Sequence, residues 1–189
     1  MRRLRLVLVG TAIGMLILSS SVSASSSVVS DPAGDAVLGS PAYVDIVQSK
    51  VTAQAGRDTL YFSMELAQAI PANPPDNFLG YNWFLDTIGS ADFDYVVVVR
   101  FCTERTPGGA CAPGPLPRWE GLVNDFVHAP KYFSGFKVDG ATVKAVIDPA
   151  LIGSPTSFEW GGLSRTTPAG FGVAPRDFAP DVCCAPFNR

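Results

Sequence analysis

Apolar and polar positions alternate with a period of two over much of this chain, which is the spacing of strands half-buried against a core. Across residues 59–66, Leu60, Phe62, Met64 and Leu66 fall on one face, with Tyr61, Ser63 and Glu65 on the other. Residues 44–51, 81–87, 95–101, 118–123 and 158–164 have the same extended character. Four consecutive valines at 96–99 suit a central strand covered on both faces. Residues 136–138 and 142–147 flank Asp139-Gly140, a pair that tolerates positive φ and so predicts a hairpin. Helical signal is confined to Pro149–Ile152, with Asp148 as its cap and Gly153 as its stop. Short strands separated by turns rich in the chain's 18 Gly and 16 Pro predict an all-β fold, a jelly-roll-like antiparallel β-sandwich. Residues 25–30, nearly all serine and valine, read as a linker.

The N-terminus departs from this alternation. Arg2, Arg3 and Arg5 precede an apolar run over residues 6–18, and Ser21-Val22-Ser23-Ala24 supplies small residues for signal-peptide cleavage. The run of about 13 residues is shorter than the roughly 20 needed to span a bilayer. A signal peptide over residues 1–24 and a secreted single domain over residues 25–189 are therefore expected, with no transmembrane segment in the mature chain.

Export changes the charge. Three of the 14 basic residues lie in the leader, leaving 11 against 17 acidic ones. With no basic cluster to neutralise phosphates, nucleic acid is not an expected partner. Cys102, Cys111, Cys183 and Cys184 are an even set for an oxidising compartment. Adjacent cysteines bond to each other rarely, so Cys102 and Cys111 are each expected to join one of the C-terminal pair, pinning a Pro-rich tail. The alternative joins Cys102 to Cys111 and leaves a vicinal pair.

Asp31-Pro32-Ala33-Gly34-Asp35, Val44-Asp45-Ile46, Tyr81-Asn82-Trp83-Phe84-Leu85-Asp86, the Asp139-Gly140 hairpin, Phe158-Glu159-Trp160 and Asp177-Phe178-Ala179-Pro180-Asp181 follow one another along the chain. In that order they resemble secreted bacterial β-sandwich modules, namely the DOMON-like and family 9 carbohydrate-binding modules, including the module attached to glucodextranase. The resemblance implies a jelly-roll sandwich that binds sugar, haem or another small ligand, often with structural calcium.

Three kinds of chemistry can be set against these residues. Asp31, Asp35 and Asp45 would converge if the first motif forms a tight turn, and hard carboxylate oxygens are what calcium takes; ordinary turn chemistry explains the same residues without a metal. Trp119, Glu120, Tyr132 and Trp83 are the candidate ligand-binding residues, because a pyranose stacks its apolar face on an aromatic ring. Trp83 and Trp160 also lie in apolar alternation and suit the core, whereas Trp119, after Pro117-Arg118, suits an exposed platform. Enzymatic chemistry is not expected. His128 is the sole histidine, no Gly-x-Ser-x-Gly elbow is present, and Asp92 and Asp94 lack the separation of a glycosidase pair. Haem would need Met64 and His128 as axial ligands, and Met64 belongs to an apolar strand face. The expected function is an exported non-catalytic binding module for polysaccharide or a cell-envelope glycan. The alternative is a structural or protein-interaction sandwich without a small ligand.

Overall fold

Twelve strands and one 3-10 turn account for the regular structure of a computed structural model that describes residues 24–54, 57–75, 78–90, 92–104, 106, 111–167 and 175–189. Residues 1–23 of the expected leader lie outside the described residues. The strands are β1 (Ser25–Ser30), β2 (Ile46–Ala53), β3 (Leu60–Leu66), β4 (Phe78–Asp86), β5 (Tyr95–Cys102), β6 (Arg118–Asn124), β7 (Lys131–Phe133), β8 (Phe136–Asp139), β9 (Thr142–Ile147), β10 (Ser157–Thr167), β11 (Arg176–Ala179) and β12 (Ala185–Asn188). They form two antiparallel sheets, one ordered β1-β2-β3-β9-β8 and the other β11-β10-β4-β5-β6-β7, with β12 pairing the first half of β10. The fold is an antiparallel β-sandwich, as the alternation predicts. No described helix is long and apolar enough to cross a membrane.

The core lies between the sheets. From the larger sheet come Leu79, Tyr81, Trp83 and Leu85 of β4 and Val97, Val99 and Phe101 of β5. The smaller sheet meets them with residues that include Val51, Leu60, Phe62, Met64, Val143 and Ile147. The valine run is indeed central, with β5 between β4 and β6; Val96 and Val98 point the other way and cluster with Leu122 and Phe84 on the outer face. Buried indoles need a partner for their N–H. Trp83 Nε1 donates to Ser49 Oγ at 3.1 Å and Trp160 Nε1 to Ser27 Oγ at 3.0 Å, each bond running from the larger sheet to the smaller.

Residues 25–30 are not a linker. They form β1 and pair in register with β2, from Ser25 opposite Ala53 to Ser30 opposite Gln48. Sheet pairing is a backbone interaction, so a serine-rich segment can join an edge with only Val29 buried. The β8–β9 hairpin forms with Asp139 opposite Thr142, so Gly140 and Ala141 make the turn and Gly140 takes φ 57°. Over Pro149–Ile152, Asp148 caps the 3-10 turn by accepting from Ala150 N at 2.8 Å, and Gly153 ends it at φ 79°.

The favoured disulfide pattern is also overturned. Cys102 bonds to Cys111, with Cα atoms 6.1 Å apart, and Cys183 bonds to Cys184. Cys102 lies opposite Phe78 at the start of β4, whereas Cys183 sits beside Phe84 and Gly161 further along the sheet. That placement leaves the C-terminal pair out of reach of Cys102. The tail is held by backbone pairing instead, Phe187 of β12 lying opposite Phe158 with ring centroids 4.8 Å apart.

Candidate functional site

The β1–β2 loop runs along the free edge of β11, where Val37 N donates to Arg176 O at 3.1 Å. Tyr81 OH and Ser164 Oγ, both from the larger sheet, donate to the carbonyls of Tyr43 and Val44 and tie down the end of the loop. This path brings the N-terminal aspartates against the C-terminal segment. Asp35 joins two groups of carboxylates, one with Asp31 and Asp181 and the other with Asp45 and Asp177. Within each group the nearest oxygens all lie within 4.8 Å of one another. The expected trio of Asp31, Asp35 and Asp45 is thus split between two groups that share Asp35, and Asp181 and Asp177 complete them. Reading outward from the first motif missed these two. The second Asp-x-x-x-Asp motif at residues 177–181 carried the signal, since its spacing repeats that of Asp31 and Asp35.

Part of this charge is compensated. Gly34 N donates to Asp45 Oδ2 at 2.7 Å and Ile46 N to Asp177 Oδ2 at 2.6 Å. Asp45 Oδ1 and Asp31 Oδ2 are buried without a hydrogen-bond partner. Burial, followed by the charges of Asp177, Asp35, Asp181 and Asp45, pushes the Asp31 carboxyl up to about 7. Asp177 is pushed up to about 6 by burial and by Asp35 and Asp45, against the lowering effect of the Ile46 and Phe178 amides. Crowded, partly orphaned carboxylates of this kind fit a hard divalent cation. Calcium binds oxygens at about 2.3–2.6 Å, which puts ligands on opposite sides of one ion up to about 5 Å apart. Asp35 with Asp31 and Asp181, or Asp35 with Asp45 and Asp177, are the residues that would hold it, and an ion there would lower their mutual repulsion and pin the N-terminal loop to β11.

The other carboxylates are spent locally. Asp86 Oδ1 accepts from the amides of Ile88, Gly89 and Ser90, and Asp94 from the Thr87 amide and hydroxyl. These bonds stabilise the β4–β5 turn. A grouping of Cys102, Cys111 and Glu120 has its two sulfurs bonded to each other and offers no thiolate.

The expected sugar platform is not assembled. Trp83 is fully buried in the core. Glu120 is also buried, with Oε1 bound to Arg100 at 2.8 and 2.5 Å, and Oε2 to Ala112 N and Arg118 at 3.1 and 3.2 Å. Trp119 faces the core side of β6, where it stacks with Tyr81 at 6.3 Å between centroids and meets Phe101 at 5.4 Å. It also lines a groove of about 430 Å³ beside Ile70, Pro71, Phe136 and Lys137. Tyr132 is 46% exposed and lies opposite Leu122, on the outer face. Successive strand positions point to opposite faces, which is why adjacent Trp119 and Glu120 separate and Trp119 and Tyr132 do not share a surface.

An aromatic hollow does open on the outer face of the larger sheet. Phe84, Phe93, Leu163, Phe178 and Pro180 line a trough of about 350 Å³ over the backbone of Gly161 and Gly162. Gly161 lies opposite Phe84 in the β4–β10 ladder, and its missing side chain leaves room beside the ring. Phe84 and Phe93 tilt together at 5.3 Å between centroids. Asp181, one of the five clustered aspartates, also lines the trough, as does Cys183. His128 lies on an exposed loop bonded to Asp125 at 2.7 Å, and Met64 is buried in the core, so the two do not form a haem site. No family model, curated protein or solved structure matches this chain.

Proposed function

We propose that this chain is an exported, non-catalytic binding module that takes carbohydrate in the trough on its larger sheet, with calcium among the five aspartates stiffening the loop beside it. The observation that carries the reading is the trough itself: exposed phenylalanine rings around a glycine floor, with a carboxylate at the rim. Such a surface stacks on the apolar face of a sugar ring while a polar group orients its hydroxyls. A volume of about 350 Å³ is at the small end of ligand pockets and suits one or two sugar residues. The leader-like N-terminus and the resemblance to secreted sugar-binding modules support the same reading.

The test is depletion of the purified chain, from Ser25 onward, by insoluble polysaccharides and cell-wall preparations, in calcium and in chelator. Retention on a polymer that disappears with Phe178→Ala but survives Trp119→Ala is the expected result. Retention indifferent to Phe178 would remove the trough from the proposal. The exposed, neighbouring Phe126 and Val127 favour a second reading, a protein-interaction sandwich, and no retention on any polymer would turn the assignment to it.

A further inference from the structure

The outer face of the larger sheet carries a row of arginines in register. Arg100 of β5 lies opposite Gly80 of β4, Gly80 opposite Arg165 of β10, and Arg165 opposite Arg176 of β11. Gly80 leaves the row open in the middle, where the Phe78 ring lies so close that a Cβ would meet it at 2.8 Å. Arg100 is neutralised by Glu120. Arg165 and Arg176 are exposed, and neither has a carboxylate partner among the described residues. Each is instead laid over a ring, Arg165 at 5.2 Å from the centroid of Phe78 and Arg176 at 5.7 Å from that of Phe178. Two adjacent guanidiniums without a carboxylate partner among the described residues repel each other across the ladder.

The pair borders the trough. Leu163 and Phe178, opposite each other in its wall, are two residues along the same strands from Arg165 and Arg176, about 7 Å away. A guanidinium stacked on a ring keeps its in-plane N–H donors free for bidentate recognition of an anion. We propose that the ligand of the trough is an acidic glycan, its sugar ring seated against Phe178 and its carboxylate or sulfate held by Arg165 and Arg176. This inference rests on the carbohydrate reading above and names the class of sugar.

Calorimetric titration of the mature chain with soluble hyaluronate, dextran sulfate and neutral dextran, at low and at high salt, separates the cases. Binding of at least one anionic polymer, weaker at high salt, with no binding of dextran, is expected; which one binds tells carboxylate from sulfate. Arg165→Gln or Arg176→Gln should each lower that affinity roughly tenfold, the scale of one charge-assisted hydrogen bond, without changing the melting temperature. Lys144→Gln, an exposed charge on the smaller sheet, should leave it unchanged. Equal binding of dextran, or equal losses with Lys144→Gln, would overturn the proposal. Phe178-dependent binding of a neutral polymer that ignores both arginines would overturn it while leaving the binding-module reading intact. Failure of all three polymers to bind would overturn the acidic-glycan proposal, and the depletion panel then decides the carbohydrate reading by itself.

Discussion

At the scale of the residue, polar partners decide which aromatic and charged side chains are available to a ligand. Trp83 has its ring in the core and its N–H on Ser49. Ser49→Ala should therefore cost about 1–3 kcal/mol, the penalty for a buried donor left unpaired, measured as a lower urea midpoint at unchanged slope. Glu120 pairs with Arg100 in the sheet, so Glu120→Ala removes one member of a buried ion pair and should cost about 3–5 kcal/mol. Residue type alone pointed to Trp119, Glu120, Tyr132 and Trp83 as candidate ligand-binding residues. Strand parity sends Trp119 and Glu120 to opposite faces, and parity relative to the core is set by which face the partner sheet covers.

At the scale of the element, the strands that carry apolar alternation were legible and those that do not were missed. β3 and β9 alternate strictly, and their bounds are nearly those expected from sequence. β1, β7, β11 and β12 are short or polar segments, held by backbone pairing along the flank of β2, β6 or β10. Their existence depends on a free edge, which the local sequence does not encode. β1 covers the edge of β2, and its Ser27 receives the Trp160 N–H. Deleting residues 25–30 should expose that edge, lower the melting temperature and promote self-association, seen together by calorimetry and light scattering. An unchanged melting temperature would mean that β1 contributes nothing to the sandwich.

At the scale of the whole molecule, the five aspartates couple the first loop to the last strands, and their titration gives the coupling a sign. Asp31 and Asp177 have native pKa values raised from 3.8 to about 7 and about 6, so the ion-free native state binds more protons than the unfolded state between those limits. Stability of the chelated protein should then fall as pH rises from about 4 to about 7. On the proposed reading calcium should reverse the slope: at about 100 times its Kd it should add about 2.7 kcal/mol, or about 5–10 °C in melting temperature, at neutral pH and less in acid. Asp35→Asn should abolish that calcium response while raising the neutral-pH stability of the chelated protein. Scanning calorimetry in calcium and in chelator across this range checks both, and a melting temperature that ignores calcium would leave turn chemistry as the sole role of the loop. The sequence by itself determined the period-two patterning and hence the all-β class, the turns at Gly140 and Gly153, and the two Asp-x-x-x-Asp motifs, because these depend on backbone preference and on neighbours a few residues away. Tertiary structure alone decided that the two motifs meet, that Cys102 pairs with Cys111, that Trp119 turns towards the core, and that Phe178, Arg165 and Arg176 share one face. Each of these follows from strand register and sheet packing, which join residues as much as 150 positions apart.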